Sequence, residues 1–125
     1  MTLIAAPVLG YKQEDLEKLK ATNSCESCDL TGADLSGAKL PKVKLRDANL
    51  TEANLTGANL VGVKLRDANL TKVDLNGVNL TGADLTGANL TGAVLLNAKI
   101  DFVDFSNAKL CNTVMPDGQR IFKDC

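Results

Sequence analysis

Ala48-Asn49-Leu50-Thr51-Glu52-Ala53-Asn54-Leu55-Thr56-Gly57-Ala58-Asn59-Leu60 carries a leucine at every fifth position and an alanine two residues before each one. Outward from this stretch the phase runs unbroken from Leu30 to Met115, eighteen positions that are all Leu except Ile100, Phe105 and Met115. A small residue stands two before each, as at Ala33, Ala38, Val43 and onward to Val103 and Ala108. An α-helix turns about 100° per residue, so steps of five would spread these side chains around the whole cylinder. A flat strand alternates its faces, so an odd step would send successive leucines to opposite sides. What remains is a chain that runs extended for about three residues, buries one Ala–Leu pair, turns a corner, and buries the next. The sequence therefore predicts an all-β solenoid.

The corners have their own chemistry. Glycine follows the Leu by two at Gly32, Gly37, Gly57, Gly62, Gly77, Gly82, Gly87 and Gly92. That is the third residue of a four-residue turn, where type II geometry needs a positive φ. Where Lys42, Asp47, Glu52, Asp67, Lys72, Asn97 or Asn107 stands instead, a type I turn is expected. Pro41 and Pro116 both fall at the second turn residue, which favours a φ near −65°. The nine residues Val43-Lys44-Leu45-Arg46-Asp47-Ala48-Asn49-Leu50-Thr51 recur at 63–71, a shift of twenty, which predicts four corners per coil and a square cross-section. Residues 30–115 then make about four coils, a shaft roughly 21 Å tall at about 4.8 Å per coil.

The composition narrows the chemistry. In 125 residues, 14 Lys and Arg balance 15 Asp and Glu for a net charge of −1, which gives no general attraction to nucleic acid or to an anionic membrane. There is no His, so the commonest general base and the commonest transition-metal ligand are both absent. Aromatic residues make up only 3% of the chain, so small and medium aliphatics must fill the core. Ile100, Phe102 and Phe105 gather late in the chain and are expected to pack inside it where the shaft finishes. The apolar run from Leu3 to Leu9 is too short to span a bilayer and is expected to be a flexible tail over residues 1–10.

Runs such as Ala33-Asp34-Leu35-Ser36-Gly37, Ala53-Asn54-Leu55-Thr56-Gly57 and Ala83-Asp84-Leu85-Thr86-Gly87 match an A-(D/N)-L-x-x motif, and the chain resembles the pentapeptide-repeat family. The resemblance implies a right-handed quadrilateral β-helix. Its flanks, with Cys25-Glu26-Ser27-Cys28 entering and Cys111-Asn112-Thr113 leaving the shaft, are similar to small exported or lumenal members from cyanobacteria and plastids. Open solenoid ends recruit further copies unless they are covered. Residues 11–28 are expected to supply an N-terminal helical cap and linker, with Leu16 and Leu19 on one helix face and Glu14 paired with Lys18. The repeat should occupy 29–115 and a C-terminal cap 116–125. Four cysteines allow three pairings. The two ends of the shaft are about 20 Å apart, and a disulfide needs Cα atoms within about 7 Å, so Cys25–Cys28 and Cys111–Cys125 are expected.

The function expected on these grounds is a non-enzymatic structural or protein-interaction module with flat polar faces, with no catalytic residue, metal or cofactor. Lys44, Arg46, Asp47, Lys64, Arg66 and Asp67 form the candidate interaction face for a protein partner, because a shift of twenty stacks like charges there. No nucleic-acid partner and no membrane insertion are expected, and the chain should be a monomer. One alternative is a DNA mimic that binds a type II topoisomerase, a role known for some relatives that resemble long acidic rods. The other is a thiol redox protein acting through Cys25 and Cys28. The periplasm or thylakoid lumen is expected if an export signal has been removed, and the cytoplasm if Met1 is the natural start.

Overall fold

The structure, a computed structural model, describes residues 10–125. Apart from Gly10, the tail expected over residues 1–10 lies outside the described residues. Every parallel bridge joins a residue to the one twenty further on, from Ser24 with Lys44 to Val94 with Val114. One coil therefore takes twenty residues and turns a corner every five. Each side is so short that it contributes a single bridged residue rather than a strand. The Leu positions and the small residues two before them point inward: Leu30, Leu50, Leu70 and Leu90 are each 0% exposed.

The ladder has a fixed grammar. The amide of each central Leu donates to the coil ahead, as from Leu50 to the carbonyl of Asn69 at 2.8 Å. The amide of the third turn residue does the same, as from Gly32 to Thr51 at 2.8 Å and from Asp47 to Arg66 at 3.0 Å. The corner closes on itself through the residue that follows, as from Ala33 N–H to the Leu30 carbonyl at 3.0 Å.

This grammar overturns the expected type I corners. Lys42, Asp47, Glu52 and Asp67 all have φ of 59°, and Lys72, Asn97 and Asn107 lie at 56°, 62° and 58°, alongside the glycines. The reason is the middle peptide of the turn. Types I and II differ by a flip of that peptide, and its N–H and C=O both stack along the shaft, so one flipped corner would break hydrogen bonds to both neighbouring coils. The ladder imposes the left-handed conformation at a cost of about 1–2 kcal/mol for an ordinary side chain. Replacing Gly77 by Ala isolates that cost, because a Cβ there would meet nothing within 4 Å. The variant should lose about 1 kcal/mol in urea unfolding while keeping its circular dichroism spectrum.

Phe102 departs from expectation for the same reason. It sits at the third corner position with φ of 60° and is 91% exposed, not packed in the core. Ile100 and Phe105 hold inward positions and pack, half-buried, against the core.

At the N-terminal end, α1 (Gln13–Thr22) buries Leu16 and Leu19 and ends at Asn23, whose left-handed φ of 59° terminates it. Lys12 N–H donates to the Asp29 carbonyl at 3.1 Å, and Asp29 N–H donates to Asp15 Oδ2 at 2.8 Å, which ties the helix to the first coil. Glu14 and Lys18 form no ion pair; the side-chain contacts spanning four residues on this helix are Gln13 Nε2 to Glu17 Oε1 at 3.4 Å and Thr22 Oγ1 to the Lys18 carbonyl at 2.8 Å.

At the other end, β1 (Leu110–Val114) still bonds to the coil before it and pairs antiparallel with β2 (Arg120–Lys123), with a bulge at Asn112. The connecting turn runs Met115-Pro116-Asp117-Gly118. Gly118 N–H donates to the Met115 carbonyl at 2.9 Å, and Gly118 at φ 88° re-aims the chain into β2.

Candidate functional site

The outward residues do more than face solvent. Asp or Asn before the Leu accepts hydrogen bonds from the residue two further on: Asp34 Oδ1 takes the Ser36 N–H at 3.1 Å and its hydroxyl at 2.7 Å. Asn49 with Thr51, Asn69 with Thr71 and Asn89 with Thr91 repeat the arrangement, each hydroxyl contact at 2.6 Å. These side chains brace the entry to the corners that follow an Asp or Asn, the local bonding for which those residues are suited. The pattern (D/N)-L-(S/T) was the available signal in the sequence.

The Ser36 hydroxyl and N–H hold the Asp34 carboxyl below its ordinary value of 3.8. A depressed folded-state value means the carboxylate favours the fold above the ordinary value, and the contribution is lost as pH falls through the lowered one. An NMR titration should place the Asp34 midpoint below that of an unstructured aspartate. Ser36→Ala should raise it.

The charged face is built on one column, Lys44, Lys64, Asp84 and Asp104, joined by successive bridges. Arg66 reaches forward to Asp84, with Nη2 at 3.2 Å and Nε at 3.4 Å from Oδ2. Arg46 lies only within 3.8 Å of Asp47, and both side chains are more than half exposed. Among the described residues Lys44, Lys64 and Asp67 have no ion-pair partner within 4.0 Å. Exposed pairs of this kind contribute about 0–1 kcal/mol, so the fold makes little use of these charges.

The first cysteine pair lies one coil before this face, with the Cys25 N–H donating to the Lys44 carbonyl at 2.8 Å. Cys25 and Cys28 take the inward positions of a repeat unit, 0% and 4% exposed, with their sulfurs at disulfide distance and Cα atoms 5.3 Å apart. Cys111 and Cys125 are likewise placed, Cα atoms 4.9 Å apart, across the C-terminal hairpin. Among the described residues no three His, Cys, Asp or Glu side chains are placed to hold a metal ion, and no helix is long and apolar enough to cross a membrane. A shallow groove of about 350 Å³ lies beside the hairpin, lined by Ile100, Met115, Pro116, Asp117, Gln119 and Ile121. It offers few polar groups to orient a ligand.

The family model for pentapeptide repeats (8 copies) matches residues 28–67, 48–87 and 79–115. A pentapeptide repeat protein from the Arabidopsis thaliana thylakoid lumen is 31% identical over 75% of this chain, with a TM-score of 0.57; the chain spans 66% of that protein's length. HetL of the cyanobacterium Nostoc, a pentapeptide repeat protein involved in heterocyst differentiation regulation, is 30% identical over 78% of this chain and 51% of its own, TM-score 0.40. Rfr23 of the cyanobacterium Cyanothece is 25% identical over 82% of this chain and 97% of its own, TM-score 0.48. Among curated proteins none matches the chain. The repeat phase, the twenty-residue coil and the matched residues agree: the chain is a right-handed β-helix and belongs to the pentapeptide repeat family.

Proposed function

We propose that the protein is a non-enzymatic interaction module: a quadrilateral shaft of about four coils over residues 29–115, capped by residues 11–28 and 116–125, that engages a protein partner. The face formed by Lys44, Arg46, Asp47, Lys64, Arg66 and Asp67 is the proposed contact. The observation that carries this reading is the stacking of Lys44 on Lys64 with no ion-pair partner for either among the described residues. Like charges so placed repel mildly, and a rigid ladder holds them at a fixed spacing, an arrangement suited to an acidic segment of another protein.

Disulfides at Cys25–Cys28 and Cys111–Cys125 fit an oxidising compartment, the thylakoid lumen or the periplasm. The redox alternative is disfavoured, because exchange needs a reachable sulfur and Cys25 and Cys28 are enclosed. The topoisomerase-binding alternative is disfavoured by the near-neutral net charge of −1, which is unlike that of a long acidic rod.

The test is affinity capture from native extract, comparing wild type with an Arg46→Ala/Arg66→Ala variant at low and high salt. Wild type should retain a partner that salt releases, as expected for screened charges, and the variant should lose it with its fold intact. Equal retention by both proteins would sink the assignment of this face.

A further inference from the structure

We propose that the acidic segment taken by the charged face belongs to a second copy of this chain, so that two shafts lie side by side and antiparallel. The inference rests on the reading of that face as a contact surface and names its occupant. From the N-terminal end, the bridged column runs Lys44, Lys64, Asp84, Asp104: two positive charges, then two negative ones. Each of the other three columns is interrupted by Asn, at Asn49, Asn54 and Asn59. Among the described residues Lys44, Lys64 and Asp104 are in no ion pair, and Asp84 meets only Arg66 of its own chain, at 3.2 Å.

Such an order is its own complement. Consider a two-fold axis that lies between two facing walls, across the shafts, at the level midway between Lys64 and Asp84. It sets Lys44 opposite Asp104 of the second copy and Lys64 opposite Asp84 of the second copy. Symmetry makes each pair occur twice, and both ladders hold their charges at the same spacing of about 4.8 Å, so all the pairs come into register together. An axis along the shafts would instead face Lys44 with Lys44, which like-charge repulsion opposes.

The neighbouring corner agrees. Lys42, Gly62, Gly82 and Phe102 stack along it, with the amides of Lys42 and Gly82 each donating to the coil ahead at 2.8 Å. Phe102 stands two residues before Asp104 as Lys42 stands two before Lys44, so the same axis brings Lys42 to the ring of Phe102 in the second copy, a cation–π contact. The pairing thus gives a partner to a ring that is 91% exposed in the single chain.

The size of the wall sets the strength. One wall is roughly 20 Å tall and about 10 Å wide, on the order of 200 Å², well below the roughly 800 Å² per partner of a stable complex. The contact is therefore weak and governed by charge. The monomer expected from the sequence is the dilute form, and the pair belongs to high concentration and low salt.

Sedimentation equilibrium up to about 1 mM, where so small a contact is populated, tests the pairing. At low salt wild type should move from the 13.2 kDa protomer toward twice that mass, and high salt should return it to the protomer. Two variants share the Asp104 change and keep the net charge of −1. Lys44→Asp/Asp104→Lys exchanges facing charges and should pair as wild type does. Lys64→Asp/Asp104→Lys sets like charges opposite each other and should associate more weakly by about tenfold or more. Both should keep the wild-type circular dichroism spectrum, because this repeat position already holds Asp at Asp74 and Lys at Lys99. A wild type that stays a protomer at low salt, assemblies that grow beyond two copies, or two variants that behave alike would overturn the proposal. If such a wild type still captured a salt-released partner from extract, this inference alone would fall and the contact face would stand; if it captured none, both would fall.

Discussion

Leu70→Ala is expected to lower the free energy of unfolding by about 2–5 kcal/mol. Leu70 is 0% exposed and lies between Leu50 and Leu90, which are equally buried. Most cores relax partly around a deleted side chain. Here the coils above and below are held apart by a backbone ladder, with the Leu50 amide on Asn69 at 2.8 Å and the Leu70 amide on Asn89 at 2.7 Å. The walls cannot close on the vacancy without breaking those bonds, so the upper part of the range is expected. Urea unfolding provides the measurement. Leu110, near the end and 8% exposed, should cost less when truncated. A loss below about 1 kcal/mol at Leu70 would contradict a tightly packed shaft.

The second large effect concerns the C-terminal bridge. Cys111 and Cys125 are 14 residues apart in sequence, and closing a loop of about that length contributes about 3 kcal/mol in the chain-entropy view. Cys111→Ser/Cys125→Ser should therefore release β2 from β1. Repeat shafts communicate only between neighbouring layers, so the loss should first appear locally, as faster exchange at Phe122 and Lys123 and fraying of the last coil. Amides at Leu50 and Leu70 should stay protected. Equal protection of β2 in both proteins would show that strand pairing alone holds the hairpin.

Much of this architecture is legible in the sequence because one requirement, inward burial, repeats without interruption. A Leu every fifth residue leaves only one way to wind the chain, and the repeated nine-residue segment gives the length of a coil. The corners were less legible. Local preference assigns Lys42 or Glu52 a type I turn, but the preference is worth little beside two ladder hydrogen bonds, and only the stacked coils reveal them. Phe102 misleads in the same way, since its hydrophobic character argues for burial while its place in the five-residue phase puts it on the outside. The bracing role of Asp34 and Asn49 was written in the sequence as a spacing of two to Ser36 and Thr51. For the charged face, the sequence supplies the column of Lys44, Lys64, Asp84 and Asp104. It does not supply the forward reach of Arg66 to Asp84, which depends on side-chain geometry.

The coil of twenty residues makes this molecule a protractor. Because any five residues advance the chain by one side, removing or adding a single unit would keep every leucine inward yet swing the C-terminal hairpin a quarter turn relative to α1. Four units would restore the original azimuth in a shorter or longer rod. Copy number in such an array thus encodes an angle as well as a length, and replication slippage in the gene could reorient one end of the protein against the other while leaving the interior untouched.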